Sequence, residues 1–399
     1  MDNKLNRFSC FRILMFLLII SVGIGSSEAG DASAVEPSNV EYISHFGRGV
    51  GDFSDVAVSG NYAYVADYKR GLVIVDISNP AAPILAGTYE TTYNASHVAV
   101  SGNYAYVVEG KRGLVIVDIS TPSSPTPVGT YDLHAAANAA VGGDFIVAAD
   151  VAVSGNYAYV VGSNLGLVIM DISTPSSPTL VGSYYEDLFK NEHRYRSRYK
   201  SVAISDNFAY IVDMAGYNDI EYPDLVVVNI SDPAAPTLVG TYVSSSGPLW
   251  DVAISGNYAY AVGNYLTIVD ISNPAAPKWV DTTSIYEGVS SYAKGIAVLG
   301  NYAYTVGNGL SIVDISNPTA TKLSGFFNSN NGMESDVFVS GVSVAVSGNY
   351  AYIADGWNGL VIVENDASTK NIPGIGWVGT LCMVLSVFLG YRWKRLGGY

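Results

Sequence analysis

The feature that most constrains this chain is a short phrase that occurs seven times. Its first copy is Gly-Leu-Val-Ile-Val-Asp-Ile-Ser-Asn-Pro-Ala-Ala-Pro at residues 71–83, and the later copies lie at 113–125, 166–178, 225–236, 266–277, 310–318 and 359–364. A second phrase, Val-Ala-Val-Ser-Gly-Asn-Tyr-Ala-Tyr, precedes each copy, and its glycine or substitute recurs after 42, 53, 51, 50, 44 and 48 residues. Periods of this size, filled with short β-rich phrases, are typical of a β-propeller.

Each repeat predicts four short antiparallel strands, labelled A to D here. In the first repeat they are residues 55–59, 62–66, 72–77 and 84–89. The Gly60-Asn61 pair predicts a two-residue hairpin between strands A and B, with positive φ at both residues. Strand C is apolar on both faces, which is expected of a sheet packed between two other sheets.

Strand D is present in six repeats and missing from the seventh. Its copies lie at 84–89, 126–131, 179–184, 237–242, 278–283 and 322–327. Residues 39–46 precede the first strand A and have no other role, so they can supply the missing strand. The sequence therefore predicts an all-β, seven-bladed β-propeller of four-stranded antiparallel blades over residues 40–366, in which residues 40–46 pair with strand 360–363 and close the last blade.

Both ends of the chain are hydrophobic and predict export and membrane attachment. Basic residues precede an apolar run at 13–25, so residues 1–29 are predicted to be a secretory signal peptide, with an N-terminal membrane anchor as the alternative. Residues 30–39 form a polar leader. After a linker at 367–371, residues 372–392 predict a transmembrane helix, and the basic tail at 393–399 is expected to stay cytoplasmic. The propeller is thus expected outside the cell, anchored at its surface.

Composition excludes several functional classes. The net charge is −15, which argues against nucleic acid as a partner. The two cysteines, Cys10 and Cys382, lie in the hydrophobic ends, so the repeats contain no disulfide, no Cys-ligated metal and no thiol nucleophile. The sequence shows no Gly-x-Ser-x-Gly, Walker or zinc-ligand spacing either. A non-enzymatic role follows.

The repeated phrase resembles a known family. Leu72-Val-Ile-Val-Asp76, residues 114–118 and Leu167-Val-Ile-Met-Asp171 are similar to the LVIVD repeat of archaeal and bacterial cell-surface proteins, with departures at Asn229, Thr267, Ser311 and Glu364. The resemblance covers residues 40–366 and implies adhesion or envelope scaffolding. Pro373-Gly374 before the apolar end also resembles a PGF-type sorting tail, although Ile375 stands where that family has Phe. Retention of the tail as a span, and its replacement by a lipid, both remain open.

The first residue of each strand A is predicted to line the mouth of the central channel. Around the ring these residues are Asp55, His97, Asp150, Ser201, Asp251, Gly295 and Ser343. The three aspartates and the histidine form a candidate metal site, because oxygen ligands from separate blades suit Ca²⁺. In the alternative interpretation, the aspartates accept hydrogen bonds from backbone donors where strands begin. Asp76 and its counterparts, which precede Ser-x-Pro turns, are expected to be structural.

The B–C and D–A connections vary in length, and a four-stranded meander places both on one face. This face is the predicted binding surface. Its basic residues, together with two tyrosines expected to offer stacking surface, form a predicted positive sector: Lys69, Arg70, Lys111, Arg112, Arg194, Tyr195, Arg196, Arg198, Tyr199 and Lys200. An anionic glycan or an envelope protein would suit it, whereas the alternative is a set of solvated loops paired with nearby acids.

Two further predictions complete the sequence-based view. Asn94-Ala-Ser96 is a glycosylation sequon in a predicted exposed loop, and Asn229-Ile-Ser231 is a second sequon at a strand end, so Asn94 is the preferred acceptor. The function predicted is a non-enzymatic cell-surface binding or scaffold module without a cofactor. The alternative is a Ca²⁺-dependent, lactonase-like hydrolase with its site at the channel mouth.

Overall fold

The computed structural model of the protein describes residues 40–110, 113–133, 147–185, 187–190, 193–196, 198–214, 223–285, 292–327 and 341–365. Within these ranges the chain forms seven four-stranded antiparallel sheets and one two-stranded hairpin. The innermost strands of successive sheets contact one another in a closed circle, including the seventh with the first. The predicted seven-bladed propeller is confirmed.

The strands follow one another in chain order, and each blade begins at the channel. The closing strand is β1 (Val40–Phe46). Blades one to four are β2 (Phe53–Ser59), β3 (Tyr62–Asp67), β4 (Gly71–Asp76), β5 (Ile84–Tyr89); β6 (Ala95–Ser101), β7 (Tyr104–Glu109), β8 (Gly113–Asp118), β9 (Thr126–Asp132); β10 (Val147–Ser154), β11 (Tyr157–Ser163), β12 (Gly166–Asp171), β13 (Thr179–Tyr184); and, after the hairpin β14 (Asp187–Lys190) and β15 (His193–Arg196), β16 (Tyr199–Ser205), β17 (Phe208–Asp213), β18 (Leu225–Asn229), β19 (Thr237–Tyr242). Blades five to seven are β20 (Asp251–Ser255), β21 (Tyr258–Val262), β22 (Leu266–Asp270), β23 (Lys278–Thr283); β24 (Gly295–Leu299), β25 (Tyr302–Val306), β26 (Leu310–Asp314), β27 (Lys322–Phe327); and β28 (Ser343–Ser347), β29 (Tyr350–Ala354), β30 (Leu360–Asn365).

The last blade is completed by the first strand, as predicted. β1 pairs antiparallel with β30, from Val40 opposite Asn365 to Phe46 opposite Leu360. The seventh sheet therefore has the order β1-β30-β29-β28. Joining the two ends of the repeat region in one sheet removes the unpaired edge that an open array would present.

The hydrophobic core lies between the blades. The buried side chains of the described residues form seven clusters, each made of facing residues from two adjacent blades. β4 shows the principle: Leu72 and Ile74 pack towards blade two, whereas Val73 packs towards blade seven. Strand C must therefore be apolar on both faces, and burying each such side chain stabilises the fold by about 1.5–3 kcal/mol.

Outer strands of neighbouring blades meet at a glycine. A Cβ on Gly129 of β9 would lie 2.0 Å from the carbonyl oxygen of Pro175 in the next blade, so only glycine allows this approach. The same contact is made by Gly87 with Pro122, Gly182 with Pro233 and Gly240 with Pro274. The Gly of strand D and the Pro turn after strand C are thus two halves of one inter-blade contact.

Two blades replace this contact with hydrogen bonds. In β23 the glycine position is Asp281, which accepts hydrogen bonds from the N–H (3.0 Å) and the hydroxyl (2.9 Å) of Thr321 in blade six. In β1 it is Ser44, whose hydroxyl donates to the Pro80 carbonyl of blade one at 2.5 Å. β1 therefore makes the same outer contact as any other strand D.

Three local expectations were wrong. In blades one to four, strand A begins earlier than predicted and contains an irregularity before the ring residue, for example between Phe53 and Asp55. The A–B hairpins have positive φ at Gly60 and its counterparts, whereas Asn61 does not adopt it. The connection after blade three is not only a loop, because Asp187–Lys190 pairs with His193–Arg196 in the hairpin β14–β15.

The chain ends are not part of this description. The predicted signal peptide, leader, linker, transmembrane anchor and tail lie outside the described residues. Among the residues that the structure does describe, none belongs to a helix of the length and hydropathy needed to span a membrane.

Removing residues 40–46 is expected to lower the melting temperature by more than about 10 °C, or to cause aggregation, because β30 then loses its partner and exposes its edge. Thermal unfolding followed by circular dichroism, with light scattering, measures both effects. Deletion of seven residues from the predicted leader, 33–39, is the matched control. Equal melting temperatures for the two deletions would show that β1 does not hold the ring closed.

Candidate functional site

The channel and the loops meet on one face of the propeller. The D–A and B–C connections lie at the same end of every blade, and we call this end the loop face. Backbone hydrogen bonds tie the two kinds of connection together, for example Tyr68 N–H to Asp52 O at 2.9 Å and Gly110 N–H to Asn94 O at 3.3 Å. The described segments of the loop face are therefore held on a stiff support.

The ring aspartates each reach across to the next blade. Asp55 Oδ2 accepts a hydrogen bond from the N–H of Val98 in blade two at 2.8 Å. In the same way, Asp150 Oδ2 accepts from Val202 N–H at 2.9 Å and Asp251 Oδ2 accepts from Ile296 N–H at 2.8 Å. Within the described ranges, adjacent sheets share isolated backbone bridges, such as Phe53 with Gly356, but no ladder. These carboxylates therefore add direct links between the inner strands.

In two places, a serine of the preceding blade also donates a hydrogen bond to the ring aspartate. Ser343 of blade seven donates its hydroxyl to Asp55 Oδ1 at 2.5 Å, and Ser201 of blade four donates to Asp251 Oδ1 at 2.5 Å. Asp55 thus connects three consecutive blades, including the seam where the ring closes. Alternation of Asp with Ser or His around the ring is the sequence signal of this arrangement.

The three carboxylates also act on one another. Burial, followed by the charges of Asp251 and Asp55, raises the pKa of Asp150 to about 7. Burial raises the pKa of Asp251 to about 6 against the lowering effect of its hydrogen bonds, and it raises the pKa of Asp55 as well. The aspartates therefore face a common space in which three negative charges are unfavourable.

His97 and Lys200 complete the channel mouth. Burial, with a smaller contribution from the charge of Lys200, lowers the pKa of His97 to about 3, so the imidazole is neutral at physiological pH. Its Nδ1 has no hydrogen-bond partner in the described structure. Lys200 also lowers the pKa of Asp55, which places its charge near the channel mouth.

These contacts correspond to the hydrogen-bonding interpretation of the ring. Among the residues that the structure describes, no three His, Cys, Asp or Glu side chains come together closely enough to hold one metal ion. The ring residues surround one channel mouth, but the carboxylate oxygens accept hydrogen bonds from backbone N–H groups and serines. The geometry gives the predicted Ca²⁺ site no support.

The residues of the predicted positive sector have different roles in the structure. Arg70 Nε lies 2.5 Å from Asp67 Oδ2, and Asp67 is fully buried, so this arginine neutralises a structural acid. Lys69 is exposed and places its Nζ 3.4 Å from the ring centroid of Trp357. Arg198 is exposed, and its N–H donates to Asp213 Oδ1 at 2.9 Å.

One residue of the sector was placed wrongly by the sequence. Tyr199 was expected to offer stacking surface on a loop, but it begins β16 and is completely buried between blades three and four. Arg194, Tyr195 and Arg196 lie in β15, and their side chains lie outside what the structure describes. Lys111 and Arg112 are outside the described residues.

Two sets of loop-face residues were missed. The first is a set of buried acids at the end of strand B, Asp67, Glu109, Asp213 and Asp355. Asp67 Oδ1 accepts hydrogen bonds from the N–H groups of Asp52 (3.2 Å) and Lys69 (2.9 Å), and Glu109 accepts from Thr92 N–H at 3.2 Å. An acid that ends the Tyr-Ala-Tyr strand in repeats one, two and seven was the available signal.

The second set is aromatic. Trp357 is 59% exposed and carries Lys69 on its ring. Tyr68, which is 49% exposed, precedes Lys69 in the chain, and Val50, which is 65% exposed, follows Gly49, whose N–H donates to Trp357 O. We call these four residues the seam platform, because they lie where blade seven meets blade one. A single Trp in the turn between β29 and β30 is the only sequence signal that marks it.

The motif aspartates and the two sequons lie in turns or at strand ends. Asp76 Oδ1 accepts a hydrogen bond from Ser78 N–H at 2.9 Å, which confirms its structural role. Asn229 takes the same role in blade four, accepting from Ser231 N–H at 2.9 Å. Asn94 is exposed just before β6, as expected, and its glycosylation stays a prediction.

The raised pKa of Asp150 predicts a pH dependence with a definite sign. Between about pH 4 and 7 the folded protein holds a proton that the unfolded chain releases, so the free energy of unfolding should fall as pH rises through this window. Asp150→Asn removes this proton and should make melting temperature less dependent on pH, while the lost acceptor lowers it at every pH.

Comparison of the variant with the parent chain isolates Asp150, because His97, whose lowered pKa acts in the opposite direction, is present in both. Asp171→Asn, at an exposed motif aspartate, serves as the control and should retain the parental slope. Parallel melting curves for parent and Asp150→Asn from pH 4 to 7 would contradict the assignment.

Comparison with known proteins agrees with this architecture. The computationally designed Ika8 protein matches 81% of this chain over 99% of its own length, with 10% sequence identity and a TM-score of 0.54. The WD40 β-propeller domain of Doa1 matches 83% of this chain over 98% of its own length, with 12% identity and a TM-score of 0.57. The Cps50 (Swd1) β-propeller domain of Myceliophteria thermophila matches 79% of this chain over 96% of its own length, with 8% identity and a TM-score of 0.58. At these identities the likeness shows the fold alone. No curated protein matches the chain.

The repeats themselves match one family. The profile of the LVIVD repeat matches residues 50–91, 94–133, 147–186, 198–244, 246–283, 290–329 and 339–370. The seven matches fall on the seven blades, and together they cover more than half of the chain. The protein is therefore a member of the LVIVD repeat family, built as a closed seven-bladed β-propeller.

Proposed function

We propose that this protein is a non-enzymatic binding and scaffold module of the cell surface, which presents its loop face to an extracellular glycan or an envelope protein. The hydrophobic ends of the sequence support this location: residues 1–29 as a signal peptide and residues 372–392 as a membrane anchor or sorting tail. The propeller would then stand outside the cell, attached at its C-terminal end.

The observation that carries the proposal is the seam platform. Trp357 and Tyr68 expose large aromatic surfaces to solvent. The Lys69 ammonium rests on the Trp357 ring, and within the described residues it forms no ion pair with a carboxylate. Exposed aromatic side chains beside a free cation on rigid loops are typical of a binding surface.

The basic hairpin offers a second contact on the same face. β14 and β15 follow blade three, and Arg198 bridges this segment to Ser163 at the end of β11. The segment 190–200 concentrates Lys190, Arg194, Arg196, Arg198 and Lys200 on a chain of net charge −15. Such a local positive region favours an anionic partner.

Replacing Arg194, Arg196 and Arg198 with Ser should weaken attachment of the full chain to cell-envelope material and reduce the salt dependence of that attachment, because three positive charges are removed from the basic segment. Sedimentation of the protein with envelope fragments at 50 and 300 mM salt measures both. The control is Lys278→Ser with Lys322→Ser, which removes exposed cations from outer strands. Equal attachment of the triple variant and the control would exclude the hairpin as a contact.

The second candidate is a Ca²⁺-dependent hydrolase, favoured by one observation: three carboxylates with raised pKa values and a neutral histidine share the channel mouth. The hydrogen bonds that occupy the carboxylates lead us to expect equal melting temperatures in Ca²⁺ and in EDTA. A melting temperature that rises with Ca²⁺ concentration, and loses this rise in Asp150→Asn with Asp251→Asn, would instead establish an ion site.

A further inference from the structure

The seam platform is held rigidly by backbone hydrogen bonds between blades seven and one. Gly49 N–H donates to Trp357 O at 2.8 Å, and Phe53 and Gly356 exchange hydrogen bonds of 3.1 and 3.0 Å. The turn that carries Trp357 is fixed from inside by Asp355, whose Oδ2 accepts from the Asn358 side chain at 3.1 Å. The platform is therefore preorganised, which lowers the entropy cost of binding.

Its side chains combine an apolar face with a positive charge. The ammonium of Lys69 covers one side of the Trp357 indole at 3.4 Å, and 59% of the residue remains accessible to solvent. Arg70 neutralises the buried Asp67 beneath this surface. Asp52, which is only partly exposed, lies beside the turn, with Oδ1 3.8 Å from a Cβ built on Gly356. A ligand here meets a flat π face and a cation.

A second loop-face site has the same composition. Trp250 stacks on Tyr292 with ring centroids 5.5 Å apart and an interplanar angle of 23°, and Lys294 Nζ lies 5.8 Å from the Tyr292 centroid. Trp250 and Tyr292 precede strand A of blades five and six, respectively. Trp250 is partly buried and Tyr292 is 44% exposed, so accessible aromatic rings lie beside a lysine at two places on the described loop face.

From this chemistry we propose that the seam platform binds the sugar units of an anionic polysaccharide, with the pyranose face stacked on Trp357 and a carboxylate paired with Lys69. The C–H groups of a sugar face are electropositive and suit the negative face of an indole. A protein partner would need a contiguous surface of about 800 Å², whereas four residues at one site and three at another suit the repeating small units of a polymer. The inference rests on the proposed function and specifies its ligand.

The test is binding of polygalacturonate, a uronic acid polymer, to the full chain, measured by isothermal titration with neutral dextran as the comparison polymer. Trp357→Ala should weaken polygalacturonate binding about five- to tenfold, the loss expected for one aromatic stacking contact. Lys69→Gln should weaken it less and reduce its salt dependence. Trp279→Ala is the matched control, because Trp279 is 57% exposed but lies on outer strand β23, and it should bind like the parent.

Equal affinity of the parent and Trp357→Ala for polygalacturonate would overturn the inference, as would dextran binding as tightly as polygalacturonate. Absence of polygalacturonate binding, together with envelope attachment that is still lost in the triple arginine variant, would overturn it while leaving the proposed function in place. Attachment abolished by protease treatment of the envelope material would identify a protein partner and reject the polysaccharide.

Discussion

Packing of every sheet against both of its neighbours is the constraint on which the remainder of this structure depends. Leu72 and Val73 are adjacent in β4, yet they are fully buried in two different inter-blade clusters. A sheet with two apolar faces is stable only between two others, so no blade can stand alone. Closure by β1 completes the series by joining the first strand of the repeat region to the last.

The inner strands converge on the channel without a shared ladder, and the ring aspartates supply the missing links. This arrangement carries an electrostatic cost, because the carboxylates that accept neighbouring N–H groups are partly buried and repel one another, which raises the pKa of Asp150 to about 7. A second set of acids does the same at the ends of strand B, where Asp67 accepts hydrogen bonds from three loop N–H groups and Arg70 balances its charge. Most carboxylates that look functional in the sequence therefore hold blades or loops together.

The surface available to a ligand consists of loop-face side chains that are neither buried between blades nor paired with a structural acid. Arg70 and Tyr199 belong to the scaffold, through an ion pair and through burial. Trp357 and Tyr68 are exposed and held by backbone hydrogen bonds, and Lys69 is exposed with its N–H bonded to Asp67 Oδ1. Recognition by aromatic faces and lysines is compatible with an acidic protein, because the cations act locally and at short range.

The sequence alone determined the architecture, since the hydrophobic pattern repeats in phase and each copy specifies the same four strands. It also located the closing strand, because residues 40–46 had no partner within their own repeat. The tertiary structure decided which polar side chains hold the scaffold together and which are accessible to a ligand. Asp55 and Val98 belong to different repeats, and whether Asp55 binds an ion or an N–H depends on the distance between two blades. The seam platform is another example, because its residues come from opposite ends of the repeat array, and only closure of the ring brings Trp357 to Lys69.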